Sequence, residues 1–373
     1  MTSDNQKRVV IKIGSSSLTS SSGDISRRKI QRITDQVAEL KDDGHEVVLV
    51  SSGAVAAGYR TLGFVNRPSS LPEKQAAAAI GQGRLIETYS ELFTSHGYAA
   101  SQILITRSDF SDETRYNNVR NTINVLLERG IVPIVNENDT VTTDRLRFGD
   151  NDTLSAKVAG LVDSDQLVIL SDIDGLYNDD PRKNPDAELL KEVTEITPQI
   201  EDMAGEPGSA VGTGGMRSKI DAFKISMASG IPSFLGKAGV KNIIVEAVNE
   251  TARGTYFELE KIDINLDRKR QWIAFNSGPE GEILIDKNAK DVIVNEKGNL
   301  QPSQIYQING YFKKGSVVRI LDTDNNKLGL GVVNYSSKDL EQFQLEQTNQ
   351  NAEAAINSES FVCELDVAIP LGV

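Results

Sequence analysis

The chain has 373 residues, 39% of them apolar, and a formal charge of −13, so two domains with real cores are expected and nonspecific binding to nucleic acid or anionic membranes is disfavoured. No apolar run is long enough to span a bilayer, and the polar stretch Met1–Arg8 lacks the apolar core of a signal peptide. A lone cysteine, Cys363, excludes an intramolecular disulfide framework and fits a reducing cytoplasm; two histidines, His45 and His96, both expected to be solvated, leave little for a histidine-based metal site.

Val9–Ile13 is a near-continuous apolar run, which predicts a strand buried on both faces. Asp24–Asp43 carries Ile30, Ile33, Val37 and Leu40 at helical spacing and is closed by Gly44. Val47–Val50 predicts a second strand running into Ser51-Ser52-Gly53-Ala54, a small-residue turn that opens a helix. The alternation continues: helix over Gln75–Ser95, strand over Ile103–Thr106, helix over Asp112–Arg129, strand over Ile131–Val135, helix over Thr153–Leu161 and strand over Leu167–Leu170. Ile220, Phe223 and Met227 predict a further helix behind a glycine-rich loop. This order predicts an α/β fold, a three-layer sandwich with a largely parallel sheet, whose ligands bind beyond the carboxyl ends of the strands.

The pattern changes at residues 261–270, read as a linker between a catalytic domain over 1–260 and a smaller β-rich domain over 271–373. In the latter, Glu282–Ile285, Asp291–Val294, Ser316–Leu321 and Leu328–Val333 predict short strands, and polar Gln342–Ala355 predicts an exposed connector or helix. No internal repeat is present.

Several segments carry chemistry. Lys12 sits inside the first buried strand, just before Gly14-Ser15-Ser16-Ser17, and needs either a structural ion-pair partner or an anionic ligand. Ser51 and Ser52 offer hydroxyls and amides at a helix start, for capping or for a ligand. Asn136-Glu137-Asn138-Asp139 and Gly149-Asp150-Asn151-Asp152 bound a long connection rich in amides and carboxylates. It lacks EF-hand spacing; asparagine can donate to a carboxylate and aspartate can accept from an ammonium, a combination suited to an α-amino acid. Ser171-Asp172-Ile173-Asp174-Gly175-Leu176-Tyr177 reads either as a nucleotide-base pocket or as a loop over a packed aromatic. Gly212-Thr213-Gly214-Gly215-Met216-Arg217-Ser218-Lys219 leads into a helix with a lysine in its first turn, which suits a polyphosphate, although it is not the common P-loop order.

Taken together and in order, VIKIGSSSL, SSGAVAAG, NENDTV, FGDNDTLSA, SDIDGLYNDDPR and GTGGMRSK resemble the amino acid kinase family, over residues 9 to about 225. GYFKKGSVVRI and LGLGVVNYSS resemble a PUA domain, though the usual Pro-x-Gly-Ile turn reads Pro302-Ser303-Gln304-Ile305. Within that family the match is to members that phosphorylate the γ-carboxylate of L-glutamate with ATP at the head of proline synthesis. The resemblance implies Lys12 and Lys219 as stabilisers of the transferring phosphoryl group and Asp152 as the group that orients both. It implies Ser52, Asp139 and Asn151 as glutamate ligands. It implies ATP contacts at Lys12, Gly14, Ser171, Asp172, Thr213, Gly214, Gly215, Met216, Arg217, Ser218 and Lys219. Mg2+ is expected to bridge phosphates without a dedicated protein metal site, and free proline to act as a feedback inhibitor of a homo-oligomer. A carboxylate with an ordinary pKa of about 4.3 is already ionised, so no general base is needed. Residues 268–373 hold 11 Lys/Arg against 14 Asp/Glu, so the PUA-like domain is not expected to bind RNA.

Two other readings stand at this point. A related kinase for another acceptor is disfavoured by NENDTV followed by FGDND and by the β-rich tail. An RNA-binding regulatory protein is disfavoured by the charge and by the intact Lys12, Asp152 and Lys219.

Overall fold

The computed structural model describes residues 6–20, 24–142, 150–179, 181, 184–203, 215–258, 266–346 and 353–364. It divides into two compact units, Met1–Asp109 with Thr114–Ile262, and Phe110–Glu113 with Asp263–Val373.

Up to residue 258 the elements run β1 (Arg8–Ile13), α1 (Arg27–Asp42), β2 (Glu46–Val50), α2 (Ala54–Gly58), α3 (Leu71–Ser95), β3 (Ala100–Ile105), α4 (Arg107–Ser111), α5 (Glu113–Glu128), β4 (Val132–Glu137), α6 (Asn151–Leu161), β5 (Gln166–Ser171), β6 (Glu192–Val193), α7 (Pro198–Met203), α8 (Met216–Ala228), β7 (Ser233–Lys237), α9 (Ile243–Val248) and β8 (Thr255–Phe257). Eight strands form one sheet in the order β3-β4-β2-β1-β5-β7-β8-β6, parallel except that β8 runs antiparallel to β7. β1 lies at its centre, in parallel register with β2 and β5.

The two-residue period of β1 explains its composition. Val9, Ile11 and Ile13 enter one hydrophobic core with Ile30, Val37 and Leu40 of α1, Tyr89 and Phe93 of α3, and Ile244 and Val248 of α9. Val10 and Lys12 therefore face the opposite layer, where α6 packs against β1. Both faces are covered, so the strand reads as an unbroken apolar run with one charged exception.

Element boundaries shift for local reasons. α1 starts at Arg27 rather than Asp24, because Ile25 is spent on a bridge to Thr19. α3 starts four residues before the predicted Gln75, with a proline in its first turn, where the missing N–H costs nothing. The helix predicted over Asp112–Arg129 is α5, preceded by the separate α4. The short β6, β7 and β8 were not anticipated. His45, expected to be solvated, is buried and accepts from the Lys7 N–H at 3.0 Å.

The second unit contains α10 (Arg268–Gln271), β9 (Gly281–Ile285), α11 (Lys287–Lys290), β10 (Ile305–Asn309), β11 (Val317–Asp322), β12 (Lys327–Val332), α12 (Ser337–Glu346) and β13 (Phe361–Cys363). Its five-stranded sheet has the order β10-β9-β11-β12-β13 around a core that includes Ile283, Phe312, Ile320, Ile356 and Phe361. The strand predicted at Asp291–Val294 is instead a turn of π-helix, Asp291–Asn295. Three apolar residues in a row cannot distinguish a short strand from a buried turn. Of the predicted polar connector, Gln342 to Glu346 belongs to α12, and 347–352 lie outside the described residues.

Candidate active site

Four chemistry-bearing turns follow carboxyl ends of neighbouring strands: Gly14–Ser17 after β1, Ser51–Gly53 after β2, Asn138 and Asp139 after β4, and Asp172 after β5. The turn after β2 depends on Gly53, whose φ of +96° is a conformation that side chains disfavour. Gly14, by contrast, has an ordinary φ of −69° and lies where a β-carbon would come 3.7 Å from Lys12 Nζ. Its value is proximity to that ammonium, not backbone freedom.

The centre of the site is Asp152, in the first turn of α6 and only 1% exposed. Lys12 Nζ from β1 pairs with its Oδ1, and Lys219 Nζ from α8 pairs with its Oδ2 at 3.1 Å. Both lysines are buried, at 6% and 5% exposure. Ser218 Oγ also donates to Asp152 Oδ2 at 3.0 Å. Burial alone pushes the Asp152 carboxyl upward, but the two ammonium groups outweigh it and hold the group below the usual carboxylate range. Asp152 is thus a permanent anion that fixes two cations from two different elements.

Asn151, one residue earlier, is a structural hub. Its Nδ2 donates to Ser51 O at 2.8 Å, to Ser52 Oγ at 2.8 Å and to Asn136 Oδ1 at 3.1 Å. Ser52 and Asn151, both predicted as substrate ligands, therefore touch each other, and the amide hydrogens of Asn151 are engaged inside the protein. Asp150 caps α6 by accepting from the Thr153 N–H at 2.8 Å. Burial, then the neighbouring Asp152 charge, raises its pKa to about 6. Asp139 lines a cavity of about 320 Å3, together with Ala54, Gln82, Leu104, Glu137 and Asn138.

On the predicted nucleotide side, Ser171 ends β5 and its Oγ donates to Asp172 Oδ1 at 3.0 Å. Tyr177 OH donates to Asp174 at 3.0 Å, so this ring is tied to its own loop. Gly215 caps α8 without a side-chain hydrogen bond, leaving a 13-residue helix whose first turn carries Met216, Arg217, Ser218 and Lys219. Thr213 and Gly214 lie outside the described residues. Arg217 is half exposed and pairs with Glu201 Oε2 at 3.5 Å and Asp221 Oδ1 at 3.7 Å. Sequence reasoning missed Gln82, whose Oε1 accepts from Asn136 Nδ2 at 2.8 Å. Its segment, AAAAIGQG, offers no sequence signal beyond a lone amide among small residues.

Residues 7–237 match the model of the amino acid kinase family, and residues 281–353 match that of the PUA domain. The chain belongs to the amino acid kinase family. Among similar proteins, Glutamate 5-kinase 2 of Bacillus licheniformis is 64% identical over 371 residues, covering 98% of this chain and 99% of the relative. Glutamate 5-kinase 2 of Bacillus subtilis is 62% identical over 372 residues and 100% of both chains. Glutamate 5-kinase of Citrifermentans bemidjiense is 43% identical over 344 residues, 92% of each. Among solved structures, carbamate kinase from Giardia lamblia bound to AMP-PNP aligns with a TM-score of 0.51 at 19% identity, covering 68% of this chain and 99% of that one, a likeness of fold alone. The amino acid kinase fold and a separate PUA domain agree with the architecture expected from the sequence. No helix among the described residues is long and apolar enough to cross a membrane.

Proposed function

We propose that this chain transfers the γ-phosphoryl group of ATP to the γ-carboxylate of L-glutamate, giving L-glutamyl 5-phosphate, the first step of proline biosynthesis. The observation that carries the reading is the buried Lys12–Asp152–Lys219 cluster at the carboxyl ends of the strands, in a chain with full-length relatives named glutamate 5-kinase. Phosphoryl transfer is limited by placement and charge neutralisation rather than by covalent chemistry on the enzyme. Lys12 and Lys219 supply the positive charge, and Asp152, held ionised, sets where that charge points. An aspartate kept below its usual pKa is unsuited to proton transfer, and the already ionised acceptor needs none.

In this proposal Ser52, Asp139 and Asn151 shape the glutamate side. Lys12, Gly14, Ser171, Asp172 and the stretch Thr213–Lys219 hold ATP, with the open amides at the start of α8 facing phosphate. Mg2+ is assigned to the phosphates of the nucleotide, where this ion ordinarily keeps most of its water and takes few protein ligands. The catalytic domain is taken as 1–260, with 261–270 as a linker to a PUA-like domain over 271–373. The working form is taken to be a cytoplasmic homo-oligomer. Free proline is proposed to compete with glutamate, because it shares the α-carboxylate and a cationic nitrogen.

The test is direct. Purified protein with Mg·ATP, glutamate and hydroxylamine should yield γ-glutamyl hydroxamate. No hydroxamate above the enzyme-free control refutes the assignment.

A further inference from the structure

Gln82 lies on α3 one residue after Gly81, at the tightest point between α2 and α3. A β-carbon at Gly81 would fall 1.8 Å from Ala54 O, and one at Gly58 would fall 1.9 Å from Ala77 O. Only paired glycines allow so close a crossing. It brings Gln82 beside the start of α2, so that both line the 320 Å3 cavity that also holds Asp139.

The hydrogen bonds fix which way the Gln82 amide points. The Glu137 N–H can only donate, so the Asn136 atom meeting it at 2.9 Å is Oδ1. Asn136 Nδ2 is then the atom facing Gln82, and the Gln82 atom that accepts from it at 2.8 Å is Oε1. At the other end, the Ser51 carbonyl can only accept, which fixes Asn151 Nδ2 and its 3.1 Å bond to Asn136 Oδ1. Two backbone groups with single roles pin the whole amide chain, and a flip at Gln82 would set donor against donor. Among the described residues Gln82 Nε2 is left buried with no acceptor, on a residue that is only 8% exposed. Buried donors are rarely left unmet unless an acceptor arrives from outside.

We infer that Gln82 is a substrate-binding residue: its Nε2 donates to the α-carboxylate of the amino-acid substrate, in the cavity that it lines with Asp139. The inference rests on the glutamate reading above and extends it to a residue outside the set assigned there. An α-amino acid needs a donor for its carboxylate beside an acceptor for its ammonium. The Asn151 amide hydrogens, expected to serve as that donor, are already engaged by Ser51 and Ser52. The Gln82 amide supplies the donor instead, and Asn136 holds it in place.

The experiment compares the full-length wild type with Gln82→Glu and Gln82→Ala, by hydroxamate formation and with melting curves recorded for each. Gln82→Glu keeps an oxygen to accept from Asn136 but replaces the donor with a charged acceptor. A lost hydrogen bond to a charged group predicts a glutamate KM raised about ten- to hundred-fold, with ATP KM and kcat within about threefold. Wild-type turnover of glutamate is read first, and its absence overturns both the substrate and this assignment. With wild-type turnover present, an unmoved glutamate KM in folded Gln82→Glu overturns the role of Gln82 alone. A rise in ATP KM equal to that for glutamate also overturns it, since that is the signature of a collapsed amide chain rather than a lost contact. If Gln82→Ala does not fold, Gln82→Glu decides.

Discussion

Lys157 offers a measurement of what a buried charge costs this fold. It lies on α6 and is only 5% exposed. Burial first, then the Arg107 guanidinium, lowers its pKa from 10.5 to about 7. That difference corresponds to about 5 kcal/mol against the charged form in the folded state. Below pH 7 the folded and unfolded chains both hold the proton, so the folded state carries the full cost. Between pH 7 and 10.5 the unfolded chain holds a proton that the folded chain releases, and stability rises with pH. Lys157→Met keeps the volume and removes the charge. It is expected to stabilise the protein by about 2–5 kcal/mol near pH 6, a gain that fades towards pH 10. For a domain of this size that corresponds to a melting-temperature increase of roughly 5–15 °C at the acidic end. Circular dichroism is the appropriate probe, because it reads the helices of the first unit directly, whereas the single tryptophan, Trp272, belongs to the second unit. A Lys157→Met protein whose melting temperature tracks that of the wild type from pH 6 to 10 would sink the reasoning.

Lys12→Ala and Lys219→Ala should each lower kcat by about 10²–10³ with a smaller change in glutamate KM, because both act on charge developing in transfer; near-normal kcat in a folded variant removes that lysine from the catalytic set. Asp152→Asn should destabilise the protein by roughly 3–5 kcal/mol in chemical denaturation, since two buried ammonium groups lose their shared anion; a loss below about 1 kcal/mol would mean that the lysines re-pair or reach water. Gly81→Ala should force α2 from α3 and cost about 1–3 kcal/mol, with a raised glutamate KM; unchanged melting would show that the crossing can open freely.

The central sheet was legible because β1 to β5 are long, apolar and separated by periodic helices. What escaped was short or tied to contacts far away in sequence. β6 is two residues long and β8 three, and their place is set by pairing with each other and with β7. Asp291–Asn295 carries no period over so few residues. His45 read as a loop residue, but it is buried and accepts from the Lys7 N–H, 38 residues away. The charged centre was visible in the motifs, since a lysine inside an apolar strand demands a partner. The Gln82–Asn136–Asn151 chain was not. An amide in an alanine-rich helix carries no mark of its role until the glycine crossing brings it to the cavity.

The arrangement divides labour between charge and hydrogen bonding. Two ammonium groups share the Asp152 carboxylate, and the half-buried Asp150 carboxyl, raised to about 6, stands close enough to feel both Asp152 and Lys12. Gathering buried charges so closely is costly in a protein that binds nothing there. It is favourable where a phosphoryl group and a carboxylate must be brought together, because two anions that repel each other in water then meet around fixed cations. Neutral amides next to that cluster add direction without adding charge. Asn151 leads directly into Asp152, and its Nδ2 binds both the Ser51–Ser52 turn and Asn136. A shift in these amides therefore moves the start of α6 and the carboxylate that pairs with Lys12 and Lys219. On the proposed function, acceptor geometry and cation geometry would be set by the same turn of helix, and selectivity for the acceptor and the rate of transfer would depend on one structural element.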